Sequence, residues 1–166
     1  MLHFIRRILT FNEIGLTLQQ KKGSLLPSSI VTLVLAGWAT LVGISSPKGD
    51  FDATTLLYLV ITPALNEELV YRGCLLEILN KFMPGKFNFL GAWSGWGAMI
   101  TSILFSLLHG FWLDNNLFIH FEVIALSNSF MSGFFFAWLR ERTGSLLIPV
   151  IAHDVEDFLF FLPRNV

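Results

Sequence analysis

Residues Thr54–Leu79 read TTLLYLVITPALNEELVYRGCLLEIL, an apolar stretch with charged residues at its centre. The stretch exceeds the roughly 20 apolar residues that a membrane-spanning α-helix needs. A charged side chain near the bilayer centre costs about 2.5–3.5 kcal/mol on insertion scales. Glu67, Glu68 and Arg72 must therefore face one another, a water-filled cavity or an ion. Ionisable groups at such a depth are functional candidates by default.

Other apolar stretches lie on both sides of this one, at about residues 25–44, 97–113, 117–139 and 146–162. They predict an all-α fold, a polytopic transmembrane helical bundle with about five spanning helices. Residues 1–24 are predicted to form an amphipathic arm on the membrane surface. The first apolar run is interpreted as a retained signal anchor, because Arg6 and Arg7 and the lack of an early cleavage pattern argue against a signal peptide. The sequence therefore predicts a single transmembrane domain over 1–166.

The composition supports a membrane protein and excludes some partners. Hydrophobic residues make up 54% of the chain and charged residues 14%, about half the charged share of soluble domains. The net charge of −1 predicts no nucleic-acid partner. Cys74 is the single cysteine, so an intrachain disulfide is excluded.

The basic residues predict an orientation in the cell membrane. On one side of the predicted spans lie Arg6, Arg7, Lys21, Lys22, Lys81, Lys86, Arg140 and Arg142. The other side has only Lys48 and Arg164. The positive-inside rule therefore predicts a multi-pass protein whose N-terminus is cytoplasmic.

Helical spacing places polar residues in pairs. Glu68 and Arg72 are four residues apart and can form a local ion pair, whereas Glu67 is rotated by about 100° from Glu68. His153 and Asp157 repeat the four-residue spacing in the last stretch, and His109 lies in the third. Each feature alone has a structural explanation: a salt bridge, an interfacial histidine or a packing pair. Their combination in one short chain favours a common site.

Three of these segments resemble a known family. Glu67–Gly73 is similar to an EExxxR motif, Phe105–His109 to FxxxH and His153–Asp157 to HxxxN/D. In this order they resemble the CAAX-protease and bacteriocin-processing family, also called the Abi family. The resemblance covers about residues 54–160, which would be the catalytic core.

The resemblance implies an intramembrane endopeptidase that acts on a peptide or protein substrate, lipidated or embedded in the bilayer. Prenylated CAAX ends are one such substrate in this family. By the same resemblance, Glu67 would be the general base and His109 would hold and polarise the attacking water. His153 and Asp157 would stabilise the oxyanion or the water, and Glu68 and Arg72 would brace the second span. Many relatives have Asn where this chain has Asp157, and an ionised aspartate cannot donate a hydrogen bond to an oxyanion.

Metal dependence stays open at this point. Glu67, His109 and His153 would supply a His₂Glu zinc site with one open position, although the chain has no HExxH motif. We favour a metal-free, glutamate-dependent mechanism without a cofactor.

Two other functions compete with proteolysis. An ion- or proton-coupled transporter would use the same buried acids and histidines, but the chain shows no inverted repeat. A non-catalytic bacteriocin-immunity or scaffold protein would bind a partner in the membrane, and its effect would survive loss of Glu67.

Overall fold

A computed structural model describes residues 9–165, without the side chains of residues 60 and 61. The prediction for the first eight residues, which include Arg6 and Arg7, lies outside this range. The described chain is mostly helical, as expected.

The helices follow the apolar stretches, with different boundaries. They are α1 (Phe11–Ile14), α2 (Leu25–Ser45), α3 (Ala53–Ile61), α4 (Pro63–Glu68), a π-helical segment (Leu69–Leu75), α5 (Leu76–Phe82), α6 (Trp96–Gly110), α7 (Val123–Thr143) and α8 (Leu147–Asn165). Two antiparallel hairpins interrupt them, β1 (Lys86–Phe89) with β2 (Ala92–Gly95), and β3 (Phe111–Leu113) with β4 (Ile119–Phe121).

The second predicted span is a broken helix rather than a continuous one. The Asp52 carboxylate caps α3 by accepting hydrogen bonds from the backbone N–H groups of Thr54 and Thr55. Because Asp52 also accepts from the Thr55 hydroxyl, its pKa lies below the usual range. The break follows at Thr62, where Pro63 occupies the first turn of α4. Proline lacks the N–H that would continue the preceding helix, so it starts a new one.

Two predicted helix boundaries were wrong, because a hairpin lies at each of them. The third stretch was expected to be helical to residue 113, but α6 ends at Gly110 and the chain continues into β3. The fourth was expected to start at residue 117, but that region forms the β3–β4 hairpin and α7 starts at Val123. Apolar composition does not distinguish a strand from a helix in segments this short.

The elements run between two ends of the molecule. One end, the arm end, gathers residues 13–24, 81–95 and 140–146: the Lys81 ammonium pairs with Glu13, and the Arg142 guanidinium donates to the Gly23 and Gly91 carbonyls. The other end, the far end, joins residues 47–49 to 163–165, where the Lys48 ammonium donates to the Pro163 carbonyl. Within the described range, the chain passes between these ends along α2, α3–α5, α6, α7 and α8.

The described part of the predicted N-terminal arm packs against the rest of the protein. Leu9 and Ile14 are buried. The Arg140 guanidinium donates to the Glu13 carbonyl at 2.6 Å, and the Lys21 ammonium donates to the Glu141 carbonyl at 2.8 Å. Ile14 of the arm lies close to Gly73 of the π-helical segment. A Cβ added at Gly73 would be only 2.9 Å from the Ile14 side chain.

Helix α2 has the length and composition of a membrane crossing. It has 21 residues and a mean hydropathy of 1.9. Among the helices in residues 9–165, it alone is both long enough and apolar enough to cross a membrane. Its buried face carries Leu35, Ala39 and Gly43 and packs against α8. Its other face exposes Leu33, Trp38 and Leu41.

Candidate active site

A buried ion pair braces the centre of the molecule and continues to a histidine. The Arg72 guanidinium donates to Glu68 Oε1 at 2.9 Å and to the Gly133 carbonyl at 3.0 Å. His153 Nδ1 lies 2.9 Å from the same Glu68 oxygen. The Glu68 and Arg72 side chains have no solvent exposure. The chain of contacts thus joins the second apolar stretch, through α4 and the π-helical segment, to α7 and α8.

The neighbouring carboxylate, Glu67, faces the other way. Its Oε2 lies 3.8 Å from His109 Nε2 and makes no hydrogen bond within residues 9–165. The Glu67 side chain is 24% exposed to solvent, whereas the Glu68 side chain is fully buried. The rotation by about 100° between adjacent helical residues accounts for this division.

Both histidines are held through Nδ1. His109 Nδ1 lies 2.8 Å from the Phe105 carbonyl, and because a carbonyl only accepts, Nδ1 must carry the proton. His153 Nδ1 is held by the Glu68 carboxylate in the same manner. The Nε2 atoms therefore face the remaining carboxylates: His109 Nε2 faces Glu67, and His153 Nε2 lies 3.7 Å from Asp157 Oδ2.

Aromatic rings fix the two imidazoles. The Phe105 ring is 4.4 Å from the His109 ring and 5.7 Å from the His153 ring. Phe136 stacks on His153 at 4.7 Å. The Arg72 guanidinium lies 4.4 Å from the centre of the Phe105 ring, a distance at which cation–π attraction contributes. Phe105 is thus a positioning residue at the centre of the predicted site.

Two cavities meet at this cluster. The α7 cavity, of about 330 Å³, lies among α2, α6, α7 and α8. The α3 cavity, of about 690 Å³, lies among α3, α4 and α8 and reaches the far end at Asp50, Asp52 and Asn165. Both are lined by His109, His153, Asp157 and Phe160. Glu67 lines only the α3 cavity, so the shared wall separates it from the interior of the α7 cavity.

The structure brings together all six predicted site residues and adds Glu156, which was not among them. The Ser132 hydroxyl donates to Glu156 Oε1, and Glu156 lines the α7 cavity. The signal was present in the sequence, because residues 153, 156, 157 and 160 recur at helical spacing and share one face of α8.

The alternative zinc ligands are not arranged as a metal site. In the part of the chain that the structure describes, no group of three or more His, Cys, Asp or Glu side chains could hold a metal ion. The His153 Nδ1 atom is engaged by Glu68, and its Nε2 faces Asp157 rather than the Glu67–His109 pair. Glu67, His109 and His153 therefore do not form a His₂Glu triad in this arrangement.

Comparisons with known proteins agree with these motifs. The profile of the type II CAAX prenyl endopeptidase Rce1-like family matches residues 49–159, a range that includes every member of the cluster. An uncharacterized 24.3 kDa protein of Escherichia coli is 33% identical over 100 residues, which cover 60% of this chain. The match spans 39% of that relative's length. No solved structure matches the chain. The protein belongs to the type II CAAX prenyl endopeptidase Rce1-like family.

Proposed function

We propose that this protein is an intramembrane endopeptidase that hydrolyses a peptide bond with a water activated by Glu67. The supporting observation is the unpaired Glu67 Oε2 facing His109 Nε2 at 3.8 Å in a cavity that reaches the protein surface. That separation lets one water lie within hydrogen-bond reach of both atoms. Glu67 takes a proton from this water as the general base.

His109 orients the attacking water. With Nδ1–H committed to the Phe105 carbonyl, the neutral ring presents the Nε2 lone pair to the water, and a protonated ring presents an N–H. In either state, the contact with Phe105 fixes the direction of Nε2.

His153 and Asp157 stabilise the oxyanion across the site. A protonated His153 would donate Nε2–H to the developing oxyanion while Glu68 holds Nδ1–H. Asp157, 3.7 Å from Nε2, supports the imidazolium electrostatically. This arrangement gives the aspartate a function that needs no hydrogen-bond donation from its own carboxylate.

The five passes between the two ends are proposed to be membrane crossings, with the arm end in the cytoplasm. Most described basic residues lie at the arm end, namely Lys21, Lys22, Lys81, Lys86, Arg140 and Arg142. For such a multi-pass protein, the positive-inside rule then predicts a cytoplasmic N-terminus. In this orientation, the α3 cavity admits water from the non-cytoplasmic face.

The proposed partners are the bilayer and a peptide or protein substrate, lipidated or embedded in the membrane. No nucleic acid and no cofactor are included in the proposal. Because the three alternative zinc ligands do not converge, the proposed steps use only protein groups and water. Purified protein that loses activity and stoichiometric zinc together on chelation would contradict the metal-free mechanism.

The test is cleavage of membrane-partitioned peptides by the purified full chain in nanodiscs, followed by mass spectrometry. Glu67→Gln and His109→Ala should each lower turnover by about 10²–10⁴-fold, the usual cost of losing a general acid or base. Asp154→Asn is the matched control, because Asp154 lies on α8 beside His153 and lines neither cavity. Unchanged turnover in both site variants would refute the proposal. Protection of cells against a bacteriocin that persists in the Glu67→Gln variant would favour the immunity or scaffold function.

A further inference from the structure

The α7 cavity has an acidic lining whose function the proposed chemistry leaves unassigned. Glu122, Glu156 and Asp157 contribute carboxylates. Among the described residues, no lysine or arginine lines this cavity. Arg72 lies nearby but is committed to Glu68 and Gly133, behind the rings of Phe105 and Phe136. The two histidines of the lining, His109 and His153, face Glu67 and Asp157 through Nε2, so Glu156 has no basic side chain of its own among the residues that line the cavity.

Glu156 is the group in this cavity whose hydrogen bonding is incomplete. Its Oε1 accepts from the Ser132 hydroxyl. Its Oε2 is buried and has no hydrogen-bond partner within residues 9–165. A carboxylate offers about four lone-pair sites, and a buried charge without a partner is costly. A ligand that supplies a cationic N–H donor would satisfy it.

The position of the cavity shows how a substrate would reach Glu156. His109, His153 and Asp157 form the wall that the two cavities share, with Glu67 on one side and Glu156 on the other. A peptide whose scissile bond lies at this wall receives water from the α3 cavity. The residue next to that bond would then lie in the α7 cavity. A volume of about 330 Å³ is within the usual range of ligand pockets.

We propose that Glu156 is a specificity residue that binds a cationic N–H group of the substrate, held in the α7 cavity beside the scissile bond. The group is an ammonium or guanidinium, from a basic side chain or from a free amino terminus. The Ser132 hydroxyl holds Glu156 Oε1, so that Oε2 is left for the ligand. Asn128 and Ser129 on α7 offer further polar contacts in the same cavity.

This inference takes the proposed peptidase function as its premise, so binding and cleavage are measured separately. The binding probe is a fluorescent, N-acetylated leucine–alanine peptide amide in which one lysine is moved through each position. The matched probe carries norleucine, which has a side chain of similar length without charge. The full chain carries Glu67→Gln, which prevents turnover, and is reconstituted in nanodiscs. A second peptide series with a free amino terminus distinguishes the α-ammonium from a side-chain ammonium.

We expect the lysine peptide to bind about tenfold or more tightly than the norleucine peptide at one position, as a buried charged hydrogen bond implies. Glu156→Gln should remove this preference, and Glu156→Asp should reduce it by withdrawing the carboxylate. Asp154→Asn, which removes an acid on the same helix outside the cavity, should preserve it. The inference is overturned if lysine is preferred at no position and the free amino terminus gives no gain. It is also overturned if the preference survives undiminished in Glu156→Gln or Glu156→Asp.

Cleavage of the same peptides by the chain with Glu67 intact is scored independently. Absence of cleavage with a Glu156-dependent preference counts against the proposed peptidase and leaves Glu156 as a cation-binding residue. Cleavage without a Glu156-dependent preference counts against the inference alone.

Discussion

At the residue scale, Glu67 and Glu68 are chain neighbours with opposite surroundings. Glu68 is fully buried between the Arg72 guanidinium and His153. Glu67 is partly exposed and lines the α3 cavity beside His109. One carboxylate therefore neutralises a buried cation, whereas the other is placed to exchange a proton with water. The same residue type is thus proposed to carry a structural role at one position and a chemical role at the next.

This division predicts that stability and activity separate between the two glutamates. Glu68→Ala leaves the Arg72 charge buried without its carboxylate, and breaking such a pair typically costs about 3–5 kcal/mol. Glu67→Gln removes no hydrogen bond, so we expect its free energy of unfolding to stay within about 0.5 kcal/mol of the parent. Denaturant unfolding in detergent measures both. Equal destabilisation by the two substitutions would contradict the assignment of Glu68 as the bracing carboxylate.

At the element scale, the contact between α2 and α8 depends on small side chains. Ala39 and Gly43 lie one helical turn apart on the buried face of α2. A Cβ at Gly43 would lie 2.5 Å from the Phe160 carbonyl oxygen and 3.0 Å from the Pro163 side chain. Close approach of backbones at small residues is a usual mode of helix packing in membranes. The contact positions the α8 face that carries His153 and Asp157.

Alanine at two glycines of α2 separates packing from helix propensity. Gly43→Ala should lower stability by about 1–3 kcal/mol, the usual cost of overpacking, because backbone at Phe160 cannot move aside cheaply. Gly37→Ala is the matched control: a Cβ there meets nothing within 4 Å, and the gain in helix propensity is up to about 1 kcal/mol. Thermal unfolding in detergent compares the two. A Gly43→Ala variant as stable as Gly37→Ala would show that α2 and α8 do not pack this closely.

At the scale of the whole molecule, the helices that run between the arm end and the far end decide from which end the site is reached. Helix α6 begins after the β1–β2 hairpin at the arm end and leads into the β3–β4 hairpin, before α7 returns to the arm end. Its 15 residues span about 22 Å, less than the roughly 30 Å of a hydrocarbon core. The exposed apolar hairpin β3–β4, with Trp112, Leu117 and Phe118, would extend this proposed crossing at the end where His109 lies.

The proposed orientation predicts a labelling pattern for single cysteines in a Cys74→Ala background. On intact cells, an impermeant thiol reagent should label Lys48→Cys, Asp52→Cys and Asn115→Cys at the far end. Lys22→Cys and Lys86→Cys at the arm end should react only after permeabilisation. Labelling of Asp52→Cys also tests whether the α3 cavity opens to the non-cytoplasmic face. The reverse pattern would invert the orientation, and labelling at both ends without permeabilisation would contradict the five crossings.

Local chemistry explains what could be predicted from sequence. Apolar length identified most of the helical stretches, and four-residue spacing identified pairs that lie on one helix: Glu68 with Arg72, and His153 with Asp157. The sequence did not predict the break at Thr62 in the second apolar stretch or the two hairpins. In the first case a proline ends the helix, and in the second the chain reverses direction. The apolar pattern in both places fits a helix and a strand equally well.

The sequence by itself determined the helical class, the polar groups that cannot remain unpartnered in an apolar interior, and the separation of Glu67 from Glu68 by helical rotation. Only the tertiary structure decided that Glu68 orients His153, that His109 faces Glu67, and that Glu156 points into a second cavity. These contacts join residues far apart in the chain, such as Glu68 and His153, which are 85 positions apart. Helical periodicity relates residues only within one element, so relations between elements depend on how the helices pack.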